Sequence, residues 1–286
     1  KNKKMKQNYF FLITFLSFTF FQGQNTANRF FYELTYKSYI KDSIVTKKTL
    51  TILDITNQKS IYRDYLSVSQ DSLITELSEK YKKSGNNVDM QKLIKTPNFT
   101  HKIIKEYPIK KVTYSDKVLQ DNFIYEEAPN FQWKILKKKK TIGEYKAQKA
   151  TAKYGGKNWI AWFSNDIPFL DGPYKFYGLP GLIVQIEDEE DNISWTLAGN
   201  KTVKNYKEKS LLDGGNNIKS IMVSKEKFKE IDTDYRNNPM GRIKATVPAE
   251  KLTQQMPDGK TLEQKIKEQE EQMKTMLKET TIKIEE

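Results

Sequence analysis

Few side chains in this sequence have the types and spacing that catalysis requires. The only histidine, His101, lies in the strand-like segment FTHKIIKEY, and we interpret it as a structural or exposed residue. Cysteine is absent, which excludes a disulfide framework, a thiolate metal site and a cysteine nucleophile. No Gly-x-Ser-x-Gly element surrounds a serine, and no phosphate-binding glycine motif is present. We therefore favour a binding protein over an enzyme and predict no cofactor.

Two groups of carboxylates remain as candidates for chemistry. Asp166 and Asp171 could serve as the acid and base of a hydrolase, although aspartate beside proline and glycine commonly forms turns. The acidic run at 187–191 could bind a hard cation through carboxylate oxygens, but it lacks the spacing of a calcium loop. We interpret that run as a solvated hairpin tip, and we predict no metal site.

The N-terminal residues predict export. Residues 1–8 are basic, and residues 9–21 form the apolar run YFFLITFLSFTFF. This run is short for a membrane-spanning helix, which needs about 20 residues, and the pattern is typical of a signal peptide. We assign the signal peptide to residues 1–23; an uncleaved anchor is the alternative. Without cysteine a lipid anchor is excluded, so we expect a periplasmic or envelope protein with no stable membrane span after cleavage.

The charge of the chain does not by itself indicate a partner. The formal net charge is +13, but the lysines are spread along the sequence and no nucleic-acid-binding motif accompanies them. We interpret the charge as a solvated surface and expect no nucleic-acid partner. The sequence leaves the oligomeric state open.

The periodicity of apolar residues predicts a mainly β (α+β) fold. Apolar and polar residues alternate from residue 29 to 37, as in a strand with one buried face. Further strands are predicted at 47–56, 60–68, 99–107, 109–115, 121–127, 131–137, 140–152, 157–164, 182–188 and 192–204. An antiparallel sheet of this size can curl into an open or partial barrel, with helices at its periphery.

Helical spacing interrupts the strand pattern in three places. We predict helices near 70–84 and 224–238 within a single β-rich domain of residues 24–248. The remainder, residues 249–286, is a charged tail with a helix at 261–279. Thr261 and Gln264 have the spacing of a capping box at the start of that helix.

One segment, residues 158–188, is unusually rich in Trp, Pro and Gly. Because Pro168, Pro173 and Pro180 cannot donate ladder hydrogen bonds, the chain must leave the sheet near Asn165 and re-enter it at Leu182. The loop between them is too apolar to remain in solvent. Its side chains either plug one end of the β layer or form the wall of an apolar groove.

Residues 178–183 of this segment read GLPGLI, comprising Gly178, Leu179, Pro180, Gly181, Leu182 and Ile183. With the surrounding AWFSNDIPFLDGPYKFYGLPGLIVQIED, the segment resembles the GLPGLI family of exported Bacteroidota proteins. That family has no characterised function and brings no catalytic residues. The resemblance implies an envelope location, a β-rich fold and association with outer-membrane uptake systems. A weaker, architectural similarity is to open-barrel lipoprotein carriers.

The GLPGLI residues also predict a local conformation. Pro180 fixes its own φ, and a turn with proline at its second position favours glycine at its third. We predict a type II turn over Leu179-Pro180-Gly181-Leu182, with positive φ at Gly181. Gly178 is predicted either to have positive φ or to allow another segment close to its backbone.

Three functional hypotheses remain. The first is an envelope binding or carrier protein that holds an apolar ligand, or part of an envelope protein, and could serve an outer-membrane uptake or assembly system. Its candidate ligand surface is formed by Trp159, Trp162, Phe176 and Leu179. The second is a structural or scaffolding envelope protein without a ligand pocket. The third is a hydrolase that uses Asp166 and Asp171.

Overall fold

The computed structural model describes residues 25–40, 43–84, 93–109, 111–213, 219–280, 282 and 284–285. The predicted signal peptide, residues 1–23, lies outside these residues. In the described part, 12 strands form one sheet, and they are antiparallel except for the pairing of the last strand with the sixth. The mainly β, antiparallel prediction is confirmed.

The strands are numbered in chain order. They are β1 Ala27–Ile40, β2 Ser43–Ile55, β3 Lys59–Asp64, β4 Lys102–Glu106, β5 Val112–Val118, β6 Asp121–Glu127, β7 Lys134–Ile142, β8 Tyr145–Tyr154, β9 Lys157–Ser164, β10 Leu182–Asp188, β11 Ile193–Val203 and β12 Ser220–Met222. Their order in the sheet is β12-β6-β5-β4-β3-β2-β1-β11-β10-β9-β8-β7.

Local alternation explains the central strand. On β1, Tyr32 and Leu34 are buried while Glu33 is exposed, because successive side chains of a strand point to opposite faces. The two predicted hairpins also form: β8 pairs with β9 across Gly155-Gly156, and β10 pairs with β11 across the acidic run.

The predicted strand at 60–68 is wrong in its second half. β3 ends at Asp64, and a short helix, α1, spans Leu66–Ser69. The cause is local, because Asp64 Oδ1 accepts a hydrogen bond from the backbone N–H of Leu66 at 2.8 Å. An aspartate that binds the backbone two residues ahead turns the chain out of the extended conformation.

The predicted longer helices are confirmed. The helices after α1 are α2 Asp71–Ser84, α3 Lys225–Asn237, α4 Gly241–Thr246, α5 Ala249–Leu252 and α6 Leu262–Thr280. Ser224 caps α3 by accepting from Lys227 N–H at 3.1 Å. At the start of α6 the capping box forms in both directions, with Thr261 N–H donating to Gln264 Oε1 and Gln264 N–H donating to Thr261 Oγ1.

The sheet curls until its two ends approach each other, although it does not close. A short connection, residues 128–133, joins β6, which lies beside the edge strand β12, to β7 at the opposite edge of the sheet. Tyr154 on β8 donates to Glu127 Oε1 on β6 at 3.1 Å, across this opening. The curled sheet therefore has a concave face. We call the place where β6, β8 and the 128–133 connection meet the rim of the sheet.

The loop between β9 and β10, residues 165–181, packs into the concave face. The Phe176 ring of this loop packs against the Trp159 ring in a tilted arrangement, with centroids 4.7 Å apart. In the same core, the Trp195 ring N–H on β11 donates to the Tyr62 hydroxyl on β3 at 2.8 Å. Two strands, β2 and β1, lie between β3 and β11 in the sheet, so this bond spans the curved face. The loop and the curled sheet thus share one aromatic core.

The charged segment after residue 248 packs against the domain. Ser38 Oγ on β1 donates to Glu279 O at 2.7 Å, and Arg236 on α3 donates to Leu277 O at 3.2 Å, so α6 is held near its C-terminal end. After α6, Ile284 is buried in the main core. None of the described helices is both long enough and apolar enough to cross a membrane.

Candidate binding site at the rim of the sheet

The loop of residues 165–181 is closed by its own backbone. Leu182 N–H donates to Ile167 O at 3.0 Å, and Gly178 N–H donates to Leu170 O at 3.1 Å. Ile183 N–H donates to Asp171 O at 3.0 Å as the chain enters β10. These bonds satisfy backbone groups that leave the sheet ladder, so the loop can be buried.

The GLPGLI turn differs from the predicted type II turn. Gly181 has positive φ, +149°, as predicted, and Gly178 has φ +92°. However, Gly181 N–H donates to Leu179 O at 2.8 Å, which closes a three-residue turn around Pro180. Leu182 N–H, which would close a type II turn, is bonded to Ile167 O instead. A Cβ atom at Gly181 would lie 2.2 Å from Ser164 O, so this position requires glycine.

The four residues of the predicted apolar ligand surface are buried. Trp159, Phe176 and Leu179 are 0% exposed, and they belong to the core beneath the loop. Trp162 is 4% exposed, and Lys140 Nζ lies 4.2 Å from the centroid of its ring. In this conformation the loop acts as the plug of the β layer. A ligand role for these residues stays a prediction, which requires the loop to move.

The two predicted hydrolase carboxylates lie in different environments. Asp166 is exposed, whereas Asp171 is fully buried and forms an ion pair with Lys105. The acidic run at 187–191 is a hairpin turn, in which Asp188 Oδ1 accepts from the backbone N–H groups of Asn192 and Ile193 at 2.7 and 3.0 Å. Among the described residues, no group of three or more metal-binding side chains comes together.

The first of two buried lysines holds the middle of the loop. Lys105 on β4 is 0% exposed, and its ammonium group pairs with Asp171. It also donates to the carbonyl oxygens of Gly172, Tyr174 and Phe176 at 2.7, 3.1 and 3.3 Å. Burial lowers the pKa of Lys105, and Asp171 opposes that effect. All these partners belong to one loop, so Lys105 is an anchor for it.

The second buried lysine lies at the rim. Lys175 is also 0% exposed, but it pairs with two carboxylates from other elements, Glu127 on β6 and Glu285 after α6. Its Nζ lies 2.5 Å from Glu285 Oε1 and donates to the Tyr125 hydroxyl at 3.0 Å. Burial lowers the pKa of Lys175, and the two carboxylates oppose that effect.

Glu285 is surrounded by donors. Its Oε1 accepts from the hydroxyls of Tyr174 and Tyr154 at 2.6 and 3.1 Å, in addition to Lys175. Its Oε2 accepts from Lys225 Nζ at 2.6 Å. Burial raises the pKa of Glu285, but the two lysines and Tyr174 outweigh burial and lower the pKa to about 2. The carboxylate is therefore held in its charged form.

The single histidine is a structural residue of the core. The His101 ring stacks on Phe99 and Tyr114, with centroids 4.2 and 5.5 Å apart. Burial and the nearby Lys175 charge lower the pKa of His101 to about 3, so the ring is neutral at physiological pH. A neutral, stacked ring of this kind is poorly placed for acid–base chemistry.

Two clefts lie outside the core. One, of about 360 Å³, lies over β3–β6 and is lined partly by Lys102, Ile104 and Lys117. The other, of about 520 Å³, lies beside β8 and β9, and its walls include Lys149, Asn158 and the predicted residue Trp159. Both clefts are open to solvent; the first has more apolar than polar surface, whereas the second is mainly polar.

The cluster of charged and tyrosine side chains at the rim, here called the rim cluster, was not predicted from the sequence. Its members are Glu127, Lys175, Lys225 and Glu285, together with the tyrosines at 125, 154 and 174. The available signal was Lys175 itself, a lysine between aromatic residues in the apolar string PYKFY. A charge in such a string must find a buried partner, because an unpaired buried ammonium is very costly.

Comparison with known proteins gives a family of unknown function. The model of a family described as "Protein of unknown function (Porph_ging)" matches residues 155–185. No curated protein matches the chain. Two solved structures of PNGF-II match the chain at 13% and 14% identity, with TM-scores of 0.48 and 0.45. The matches cover 72% and 71% of this chain but only 33% and 32% of PNGF-II.

Proposed function

We propose that the chain is an exported binding protein of the cell envelope, which recognises a segment of another protein at the rim of its sheet. The observation that carries this proposal is the rim cluster. There, Lys175 and Lys225 hold the side chain of Glu285, a residue 110 positions from Lys175 in the sequence. A site that binds one remote segment by its side chains can bind a similar segment of a partner.

The packing of the concave face favours a polypeptide over a stored apolar ligand. The loop of residues 165–181 occupies the position where a carrier would hold a lipid, and Lys105 fastens it from below. Opening that space would separate buried charges, which is strongly unfavourable. The rim can instead change its occupant without moving the loop.

The envelope location rests on the sequence. The signal-peptide pattern at residues 1–23 and the resemblance of residues 178–183 to the GLPGLI family both support export. The Porph_ging match covers the same segment of the chain. Within the envelope, the chain would serve an outer-membrane uptake or assembly system.

Site-specific photo-crosslinking in the native host tests the proposal. A photoreactive amino acid replaces Glu226, an exposed residue in the first turn of α3 and next to Lys225. The matched control places it at Lys83, an exposed residue near the end of α2. We expect a discrete protein adduct from position 226 and none from position 83. Equal adducts at both positions, or none at position 226, would contradict rim recognition.

Native mass spectrometry of the protein from envelope extracts separates the alternatives. A bound lipid mass would favour the apolar carrier and require an open form of the 165–181 loop. A bare chain without crosslinked partners would favour the scaffolding protein, which the closed core also supports. The hydrolase hypothesis has less support, because Asp171 is engaged by Lys105 and by the Tyr107 hydroxyl at 2.5 Å.

A further inference from the structure

The residues after α6 occupy the rim as a ligand would. Ile284 is buried in the main core, and Ile282 packs against its edge. The backbone hydrogen bond described within this stretch is internal, from Ile284 N–H to Ile282 O at 3.2 Å. Among the described residues of this stretch, the contacts with the rest of the domain come from the two aliphatic side chains and the Glu285 carboxylate.

The rim is shaped for this carboxylate. Gly155, at the β8–β9 turn, has φ +56°, and a Cβ atom there would lie 2.8 Å from Glu285 Cγ. The glycine thus lets the acidic side chain approach the turn. On the other side, Lys175, Lys225, Tyr154 and Tyr174 supply the donors described above.

The charges in the rim require an anion. Lys175 and Lys225 carry two positive charges, and Glu127 and Glu285 carry two negative charges that neutralise them. Without Glu285 one positive charge is in excess, and Lys175 is fully buried. Lys175 and Lys225 would then share one carboxylate, Glu127, and because an excess charge in a buried cluster is strongly unfavourable, the vacated pocket has affinity for another carboxylate.

We propose that the pocket formed by Gly155, Tyr154, Tyr174, Lys175 and Lys225 is a recognition site for an aliphatic–acidic peptide segment, and that Ile284 and Glu285 are its intramolecular occupants. The inference rests on the proposed function, since it names the ligand class of the same rim. A partner segment with an aliphatic residue followed by glutamate would compete with Ile284-Glu285. The chain's own segment would hold the site closed until such a partner is abundant.

Peptide binding to the full chain tests this assignment. The probe is a fluorescent Thr-Ile-Lys-Ile-Glu-Glu peptide, the sequence of residues 281–286, and the matched control replaces its first Glu by Gln. We expect the wild-type chain to bind the probe weakly, and the isosteric Glu285→Gln variant to bind it at least about ten-fold more tightly. The control peptide should show no such gain, and adding Lys225→Met to Glu285→Gln should remove it.

Hydrogen exchange on the wild-type chain gives a test that needs no variant. Excess Glu-containing peptide should increase exchange in residues 281–286, whereas the Gln control should leave it unchanged. Equal effects of the two peptides, or no gain in affinity for Glu285→Gln, would overturn the proposal. A wild-type dimer that the peptide dissociates would assign the pocket to a second copy of this chain, and would overturn the assignment to a partner.

These outcomes are distinguishable from failure of the proposed function. If position 226 crosslinks to a partner but Glu285→Gln gains no affinity for the probe, rim recognition stands and the carboxylate pocket is wrong. If the probe binds as expected but no partner is crosslinked, the pocket stands and the envelope function is wrong.

Discussion

The two buried lysines divide the molecule into a fixed region and an exchangeable one. Lys105 and Lys175 have the same exposure, 0%, and in both cases burial lowers the pKa of the ammonium group while carboxylates oppose it. They differ in the origin of their partners. Lys105 contacts a single loop, residues 171–176, whereas Lys175 contacts β6 and a segment beyond α6.

The different partners of Lys105 and Lys175 show that burial of a charge does not by itself indicate function. The Lys105 partners are held by the loop backbone and cannot leave without unfolding it. The Glu285 partner lies on a segment whose described contacts with the sheet come from side chains, so it can leave alone. Four sets of substitutions test this contrast, ordered by the largest loss of stability expected in each.

The largest loss of stability is expected for Lys105→Met. The substitution leaves the Asp171 carboxylate buried without its cation and removes three donors to loop carbonyls. We expect the free energy of unfolding to fall by about 3–5 kcal/mol, measured by urea denaturation. The double variant Lys105→Met with Asp171→Leu should recover part of that loss, and a loss as large as in the single variant would contradict a charge effect.

Alanine substitutions at Gly181 and Gly178, the two glycines of the GLPGLI turn, should destabilise the protein to different extents. For Gly181→Ala the new Cβ would meet Ser164 O at 2.2 Å, and φ is +149°. For Gly178→Ala the nearest atom is 4.0 Å away, and only the φ of +92° opposes the change. We expect losses of roughly 3 kcal/mol and roughly 1 kcal/mol respectively. Equal melting temperatures for the two variants would show that the loop is not fixed at Gly181.

The Glu285 carboxylate should make stability depend on pH. Its pKa is lowered from an ordinary 4.5 to about 2, so its contribution is present above pH 4.5 and is lost as the pH falls toward 2. Above pH 4.5 we expect Glu285→Gln to be less stable than wild type by roughly 2–3 kcal/mol.

Below pH 2 the two chains should converge. Denaturation at a series of pH values measures the difference, and a difference independent of pH would exclude the carboxylate as its source. Because Gln does not titrate in this range, the difference between the two chains reports protonation of the Glu285 side chain.

The smallest effect is expected for Lys225→Met. Its side chain is 26% exposed, and partly exposed ion pairs contribute little, so we expect a loss of about 1 kcal/mol. Hydrogen exchange in residues 282–285 should nevertheless rise, because Lys225 Nζ is one of the donors to Glu285. Lys80→Met, which breaks the exposed pair with Glu76 on α2, is the matched control and should leave that exchange unchanged.

Much of the local structure follows from short-range patterns in the sequence. Alternation on β1 predicts its buried face, and Thr261 with Gln264 predicts the start of α6, because both patterns act over a few residues. The GLPGLI residues likewise predict positive φ at Gly181. The strand pattern does not predict the helix that follows β3, where the backbone N–H of Leu66 donates a hydrogen bond to Asp64 Oδ1 and the chain leaves the extended conformation.

Contacts between residues that are distant in the sequence depend on how the whole chain packs. The pairing of β1 with β11 and the curl that brings Tyr154 to Glu127 have no signature in local spacing. The same holds for Glu285, whose partner Lys175 is 110 residues away. Such contacts form because buried charges and strand edges must be satisfied across the whole fold, and several partners are possible until the chain has packed. The rim site is therefore a property of the curled sheet, whereas the point where the 165–181 loop leaves the sheet is encoded in the local sequence.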